Sequence, residues 1–303
     1  MSDQDQPTQG GWKTLYPYES HYMTIGGFKY HYLDEGPTEP DGNARPTLIC
    51  SHGNPTWSFF FRSVVDAFKN KYRVIVVDHI GCGLSEKPSL KKYPYTLSRR
   101  SDDLLELIQK LGLKNCALVA HDWGGAVGMC AATQIPDVFS KIILMNTASY
   151  LHERCPKRIR LCHIPILKRI MMQGLNVFPI AATRMATAKG LSKDVKDGLL
   201  APYDSWANRI AVCEFVQDIP ISAKSRSYQT FVEMMKRLPV FKDKPVALIW
   251  GEQDWCFPPE IFLNEYLKYY PNAFVHRIAD AGHYLLEDSP KETLDAMREF
   301  LEK

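Results

Sequence analysis

The chain has 303 residues, 45% of them hydrophobic, and a formal net charge of +3. That length and apolar content suffice for one large core, or for one core with a modest inserted subdomain. The mild charge speaks against a nucleic-acid footprint, and no run approaches the ~18 consecutive apolar residues of a membrane span.

The first 18 residues read as a loosely held lead-in. They are polar and acidic and lack the positive start and apolar stretch of a signal peptide. Residues 21–25 and 28–33 flank Gly26-Gly27, a hairpin signal. Residues 37–46 are a turn-rich connection to a short buried strand at 47–50, which runs into Ser51-His52-Gly53-Asn54-Pro55. Apolar repetition predicts a helix over 57–68. The β-branched run at 72–77 predicts a strand covered on both faces. A loop containing Asp78, Gly81, Gly83 and Ser85 follows, and then a helix capped by Thr96, with Leu97, Leu104, Leu105, Ile108 and Leu111 at helical spacing and Gly112 at its end.

Further on come a strand at 116–120, a helix at 126–133 and a strand at 139–145. This alternation predicts a parallel, doubly wound sheet. It breaks after Asn146, and the segment to about residue 235 is helix-like and rich in Met, Pro and basic residues. Alternation resumes with strands at 245–250 and 273–278 and helices near 259–269 and from 289. The expected organisation is a core of residues 1–149 and 236–303 with a helical cap at 150–235.

The chain is arranged around Ala120-His121-Asp122-Trp123-Gly124-Gly125. A strand narrowing to small residues before a helix describes a sharp corner that exposes one reactive side chain, because close backbones leave no room for larger neighbours. The corner residue here is Asp122 where the familiar version has serine. A carboxylate that attacks saturated carbon forms an ester, which water can cleave; an alkoxide would form a stable ether. Asp122 therefore points to displacement at sp3 carbon. Ligands of open parallel sheets sit beyond the carboxyl ends of the strands. Those ends supply His52, Asn54, Asp78, Asp122, Trp123, Asn146, Asp254 and His283. Asp122 as nucleophile, Asp254 as orienter and His283 as base follow the order nucleophile, acid, histidine. Glu252 is the alternative orienter, and Asn146 is not an acid. His283 would activate water against the ester, with the backbone N–H groups of Asn54 and Trp123 as the oxyanion hole. The side-chain N–H groups of Asn54 and Trp123 would hold a departing halide or other stable anion. Epoxide opening ranks lower, since it wants a pair of acidic hydroxyls; Tyr203 and Tyr228, in the expected cap, read as packing or surface residues.

Ser51-His52-Gly53-Asn54-Pro55-Thr56, the Asp78 loop, His121-Asp122-Trp123-Gly124-Gly125 and the contexts of Asp254 and Gly282-His283 resemble the haloalkane dehalogenases, whose third subfamily pairs Asn and Trp in this way. A second resemblance is closer in places. Tyr95-Thr96-Leu97-Ser98-Arg99-Arg100, Asp204-Ser205-Trp206-Ala207-Asn208-Arg209-Ile210 and Phe215-Val216-Gln217-Asp218-Ile219-Pro220 resemble the β-lactone decarboxylases of bacterial long-chain olefin synthesis. Both resemblances imply an α/β-hydrolase fold and a small hydrophobic substrate. The leading expectation is haloalkane dehalogenation through an aspartyl ester, with β-lactone decarboxylation on the same residues as the alternative.

Other signals are discounted. Gly81-x-Gly83 lacks the third glycine of a dinucleotide fingerprint. His152, Cys155, Cys162 and His163 fit no common zinc spacing. No metal and no organic cofactor are expected. The eight cysteines form no CxxC pair, and several lie in apolar runs, so buried thiols in a reducing cytoplasm are expected. Arg154, Lys157, Arg158, Arg160, Lys168 and Arg169, interleaved with apolar residues, read first as the solvated face of a cap helix and second as a dock for an anionic membrane or a pathway partner. Oligomeric state is left open.

Overall fold

A computed structural model describes residues 11–37, 46–152 and 169–303. Eight strands form one sheet in the order β1 (His21–Ile25), β2 (Phe28–Glu35), β4 (Arg73–Asp78), β3 (Thr47–Ser51), β5 (Cys116–Asp122), β6 (Phe139–Thr147), β7 (Val246–Gly251), β8 (Phe274–Ile278). The β1–β2 and β2–β4 pairs are antiparallel, and every pair from β4–β3 to β7–β8 is parallel. This is the α/β-hydrolase fold. The Gly26-Gly27 turn joins β1 and β2 with both glycines at positive φ, as a type I′ hairpin turn requires.

The central strands are continuously apolar because both faces of the sheet are covered. Ile49, Ile75, Val77, Leu118, Ile142, Leu144 and Leu248 point to one side, where they meet helices α2 (Leu97–Lys110) and α3 (Trp123–Ala132). Their neighbours Leu48, Val74, Val76, Val119, Ile143, Ala247 and Ile249 point to the other side, an alternation set by the two-residue repeat of a strand. There they meet α1 (Arg62–Phe68) and a carboxyl-terminal helix over Pro290–Glu302.

Between β6 and β7 the regular elements of the described residues are helical: a π-turn at Arg169–Gly174, α4 (Val177–Met185), α5 (Lys193–Leu200), α6 (Ile210–Gln217) and α7 (Tyr228–Arg237), with short 3-10 turns. Beyond β7 come α8 (Phe262–Tyr269), α9 (Leu285–Asp288) and the carboxyl-terminal helix, α10.

Element ends shift where local chemistry intervenes. The helix expected over 57–68 is a 3-10 turn at Ser58–Phe61 followed by α1. The helix after the corner begins at Trp123, three residues earlier than the apolar pattern marks, because Asp122 is itself the N-cap. Pro258 and Pro259 delay α8 to Phe262. Thr96 caps α2 as expected, its hydroxyl accepting from the Arg99 amide at 3.4 Å.

Candidate active site

Asp122 ends β5 with φ 52° and ψ −128°, outside the ordinary helical and extended regions for a non-glycine residue. The corner is held from several sides. Thr147 donates its hydroxyl to the Asp122 carbonyl at 2.5 Å, and Ser149 donates to the Gly125 carbonyl at 2.9 Å. A methyl group on Gly124 would fall on the Ser51 carbonyl oxygen, and one on Gly53 would fall on the Asp122 carboxylate. These small residues mark where β3, β5 and α3 approach too closely for side chains.

The loops after β5, β7 and β8 bring Asp122, Asp254 and His283 together, all three nearly buried. His283 Nε2 stands 3.5 Å from Asp122 Oδ2, and His283 Nδ1 lies 2.8 Å from Asp254 Oδ2. Burial acts to lower the His283 pKa, but Asp254, and then Asp122, outweigh it and push it up to about 10. Burial likewise acts to raise Asp254, yet the His283 charge and hydrogen bonds from Phe257 and Asn146 bring it below its ordinary value. Glu252 instead pairs with Arg277 on the surface at 2.7 Å.

Three supporting residues escape a reading by motif. Asn146, set aside above as no acid, donates to Asp254 Oδ2 at 2.7 Å and exchanges hydrogen bonds with the Gly251 backbone. The other Asp254 oxygen accepts from the amides of Cys256 and Phe257 at 2.7 and 3.1 Å. His121 donates from Nε2 to the His283 carbonyl at 2.8 Å, with its ring 4.6 Å from that of Phe60. Burial, followed by the charge on His283, lowers its pKa to about 3, so it stays neutral. Asp288 accepts from the amides of Gly282, Ala188 and Lys189, tying the His283 loop to the segment after α4. Only the place of Asn146 at a strand end and of His121 beside the corner hinted at such roles.

On the opposite side of Asp122, the Asn54 backbone amide donates to Asp122 Oδ1 at 2.7 Å; the Trp123 amide makes no such bond. The Asn54 side-chain amide gives one N–H to the Val212 carbonyl of α6 at 3.2 Å. Among the described residues none accepts from the Trp123 indole N–H, and its ring packs beside Phe215 and Phe231. Tyr203 is buried and spends its hydroxyl on the Thr56 carbonyl at 3.3 Å, while Tyr228 opens α7.

His52 and Asp78 serve a neighbouring buried network. His52 Nδ1 donates to the Gly53 carbonyl at 2.7 Å and its Nε2 accepts from the His79 amide at 3.1 Å. Asp78 accepts from Ser58, Leu84 and His31 at 2.6 to 2.8 Å, which anchors the loops after β3 and β4. Cys155, Cys162, His163 and the basic run up to Lys168 lie outside the described residues. Among the described residues six cysteines are free thiols, five of them buried. Among the described residues, no helix is long and apolar enough to cross a membrane, and no three His, Cys, Asp or Glu side chains converge as metal ligands.

A family model of the α/β-hydrolase fold matches residues 46–163 and 176–290. The chain is 38% identical over 294 residues to a cis-3-alkyl-4-alkyloxetan-2-one decarboxylase of Shewanella oneidensis, covering 95% of this chain and 90% of that protein. It is 29% identical over 290 residues to haloalkane dehalogenase 2 of Mycobacterium bovis, covering 94% and 96%. The crystal structure of a haloalkane dehalogenase from Bradyrhizobium elkanii superposes with a TM-score of 0.83 at 23% identity, over 94% of this chain and 97% of that one.

Proposed function

The chain belongs to the α/β-hydrolase fold family, with β-lactone decarboxylases and haloalkane dehalogenases as relatives, and on that premise we propose that it is a decarboxylase of cis-3,4-dialkyl β-lactones. This reverses the order expected from the motifs alone. One observation carries the reversal: two of the three segments that resemble β-lactone decarboxylases, around Arg100 and Asp218, meet in the fold. Arg100 Nη1 lies 3.5 Å from Asp218 Oδ2, and Phe215, three residues before Asp218, packs on Trp123 beside the nucleophile. The greater overall similarity to the Shewanella protein points the same way.

The chemistry follows from an aspartate nucleophile. Asp122 attacks C4 of the four-membered ring from the face opposite the ring oxygen. The C4–O bond breaks, and the released carboxylate, still attached at C3, is held by the N–H groups of Trp123 and Asn54. Backside attack leaves the new C4–Asp122 bond antiperiplanar to the C3–carboxylate bond. That second bond then breaks, its electron pair becomes the C3=C4 double bond, and the Asp122 carboxylate departs from C4. Carbon dioxide and an alkene are formed with no water consumed, and a cis-lactone gives a cis-alkene. The His283 imidazolium, paired with Asp254, stabilises the Asp122 carboxylate as it is regenerated.

Haloalkane hydrolysis is the second reading, and the indole N–H of Trp123, with no acceptor among the described residues, favours it. Asp122 would displace halide, and water activated by His283 would cleave the ester at its carbonyl, with the Asn54 amide on the developing oxyanion. The test is to incubate the purified protein with a cis-3,4-dialkyl β-lactone and, separately, with a 1-bromoalkane. Rapid alkene and carbon dioxide release with trace bromide supports the first reading. Faster bromide release transfers the assignment to the second, and turnover of neither defeats both.

A further inference from the structure

Arg100 on α2 is fully buried, and the proposed reaction makes no direct use of it. Its Nη1 donates to the Tyr95 carbonyl at 3.1 Å and faces Asp218 Oδ2 at 3.5 Å, while its guanidinium carbon lies 3.6 Å from the centroid of the Phe215 ring. Asp218 is the C-cap of α6. Its carboxylate also accepts from the Ser227 hydroxyl, which in turn accepts from the Leu97 amide at 3.0 Å. The amino-terminal end of α2 and the carboxyl-terminal end of α6 thus share one buried polar knot.

Helix α6 touches both residues proposed to receive the leaving anion. Phe215 packs on Trp123 with ring centroids 5.4 Å apart, and the Val212 carbonyl takes the Asn54 side-chain amide. We infer that Arg100 is a positioning residue for the leaving-group side of the active site, setting the Phe215–Trp123 wall and the seating of α6. This inference rests on the proposed roles of Asn54 and Trp123. Its physical basis is the shape of the guanidinium: a plane that stacks on Phe215 through its face while its edge reaches Asp218 and Tyr95. A lysine ammonium supplies the charge without the plane. Removing the charge alone would leave Asp218 buried with only Arg226, a half-exposed residue whose Nε lies 3.7 Å from Oδ1, as a cationic partner, a destabilising change unless Asp218 is neutralised as well.

The experiment therefore compares wild type, Arg100→Lys and the double variant Arg100→Met/Asp218→Asn. Each is measured for melting temperature, kcat, KM and inhibition by bromide and by propionate, two probes of an anion site. The expected result is a folded double variant whose kcat falls about ten- to a hundredfold, short of the ~10²–10³-fold that follows outright loss of an anion-stabilising donor, because the donors are displaced and not removed. Its KM stays within about threefold, because ground-state binding keeps its contacts. Anion inhibition weakens in step, and Arg100→Lys falls between double variant and wild type. A folded double variant with kcat and anion inhibition within about twofold of wild type overturns the proposal. So does a loss confined to KM. If the wild type turns over neither substrate, the functional reading has failed. Bromide binding, followed by tryptophan fluorescence with Trp123→Phe as control, then decides the positioning role independently: weaker binding in the double variant supports it, and unchanged binding overturns it.

Discussion

Asn146 donates its side-chain amide to Asp254 Oδ2 at 2.7 Å, the same oxygen that meets His283 Nδ1 at 2.8 Å. A residue at the end of β6 therefore holds the carboxylate that meets the histidine beyond the end of the last strand. Asn146→Ala leaves that carboxylate one donor short and frees the Gly251 amide, at a cost of about 1–3 kcal/mol for a buried group without its partner. We expect turnover to fall roughly ten- to a hundredfold as His283 loses its alignment. Asn146→Asp is expected to do more harm, because two buried carboxylates in contact must share a proton. Steady-state kinetics on the two variants, with melting curves alongside, check the order.

Replacing His283 by Phe separates the two readings of the reaction. A bromoalkane needs His283 only for the second half, the activation of water, so His283→Phe should accumulate an alkyl ester on Asp122, visible by intact mass. Loss of the base slows its release by about 10²–10⁴-fold. A β-lactone needs no base to release Asp122, so the same variant should continue to form alkene slowly and without a stable adduct. Failure to alkylate Asp122 with any reactive bromoalkane would remove the case for attack at saturated carbon.

The charge on His283 sets an alkaline limit. Its pKa is held up at about 10, chiefly because Asp254 and Asp122 outweigh burial, whereas an unfolded histidine titrates near about 6.5. A pKa raised on folding contributes stability that is fully present below the unfolded value and is lost as pH rises through the folded one. Urea unfolding of wild type should therefore weaken progressively from about pH 6.5 to about pH 10, and His283→Phe should lack that part of the decline. Activity follows the reading of the reaction. Alkylation removes the Asp122 charge and lets the His283 pKa fall, so bromide-linked hydrolysis should rise with pH. Alkene formation, which uses the imidazolium, should be flat and then decline toward pH ~10.

The buried strands were legible because both faces of the sheet demand apolar side chains, as in the run from Val74 to Val77. That Asp254 and not Glu252 would lie against His283 was legible too, since it is the acid set farther beyond the strand. Asn146 was visible only as a strand-end residue that is not an acid. Its use depends on β6 lying beside β7, with Met145 opposite Ile249, and no local pattern encodes that adjacency. Arg100 shows the same limit more sharply. In sequence it is one of the charged residues between Leu97 and Leu104, with nothing nearby to name its partner. Its burial is imposed by Phe215 and Asp218, more than a hundred residues later. The inserted helices lacked any period that would say which of their faces covers the corner at Asp122.

Two glycine substitutions should test how tightly that corner is built. A methyl group at Gly53 meets Asp122 at Cβ as well as at the carboxylate, so turning the carboxylate does not relieve the overlap. The Gly53 loop must draw away from the corner, and the Asn54 amide that donates to Asp122 moves with it. Gly53→Ala is therefore expected to cost activity about a hundredfold or more, together with the ~1–3 kcal/mol typical of overpacking. A methyl group at Gly124 meets the Ser51 and His52 carbonyl oxygens, rigid backbone of the adjacent strand and its loop. No rotamer relieves that overlap either, so α3 must move away from β3. Gly124→Ala should likewise lower the melting temperature and reduce the yield of folded protein. Thermal unfolding of both variants, beside an activity assay normalised to folded protein, tests the expectation. A Gly53→Ala variant with the stability and activity of wild type would mean that the loop before Asn54 yields without disturbing Asp122.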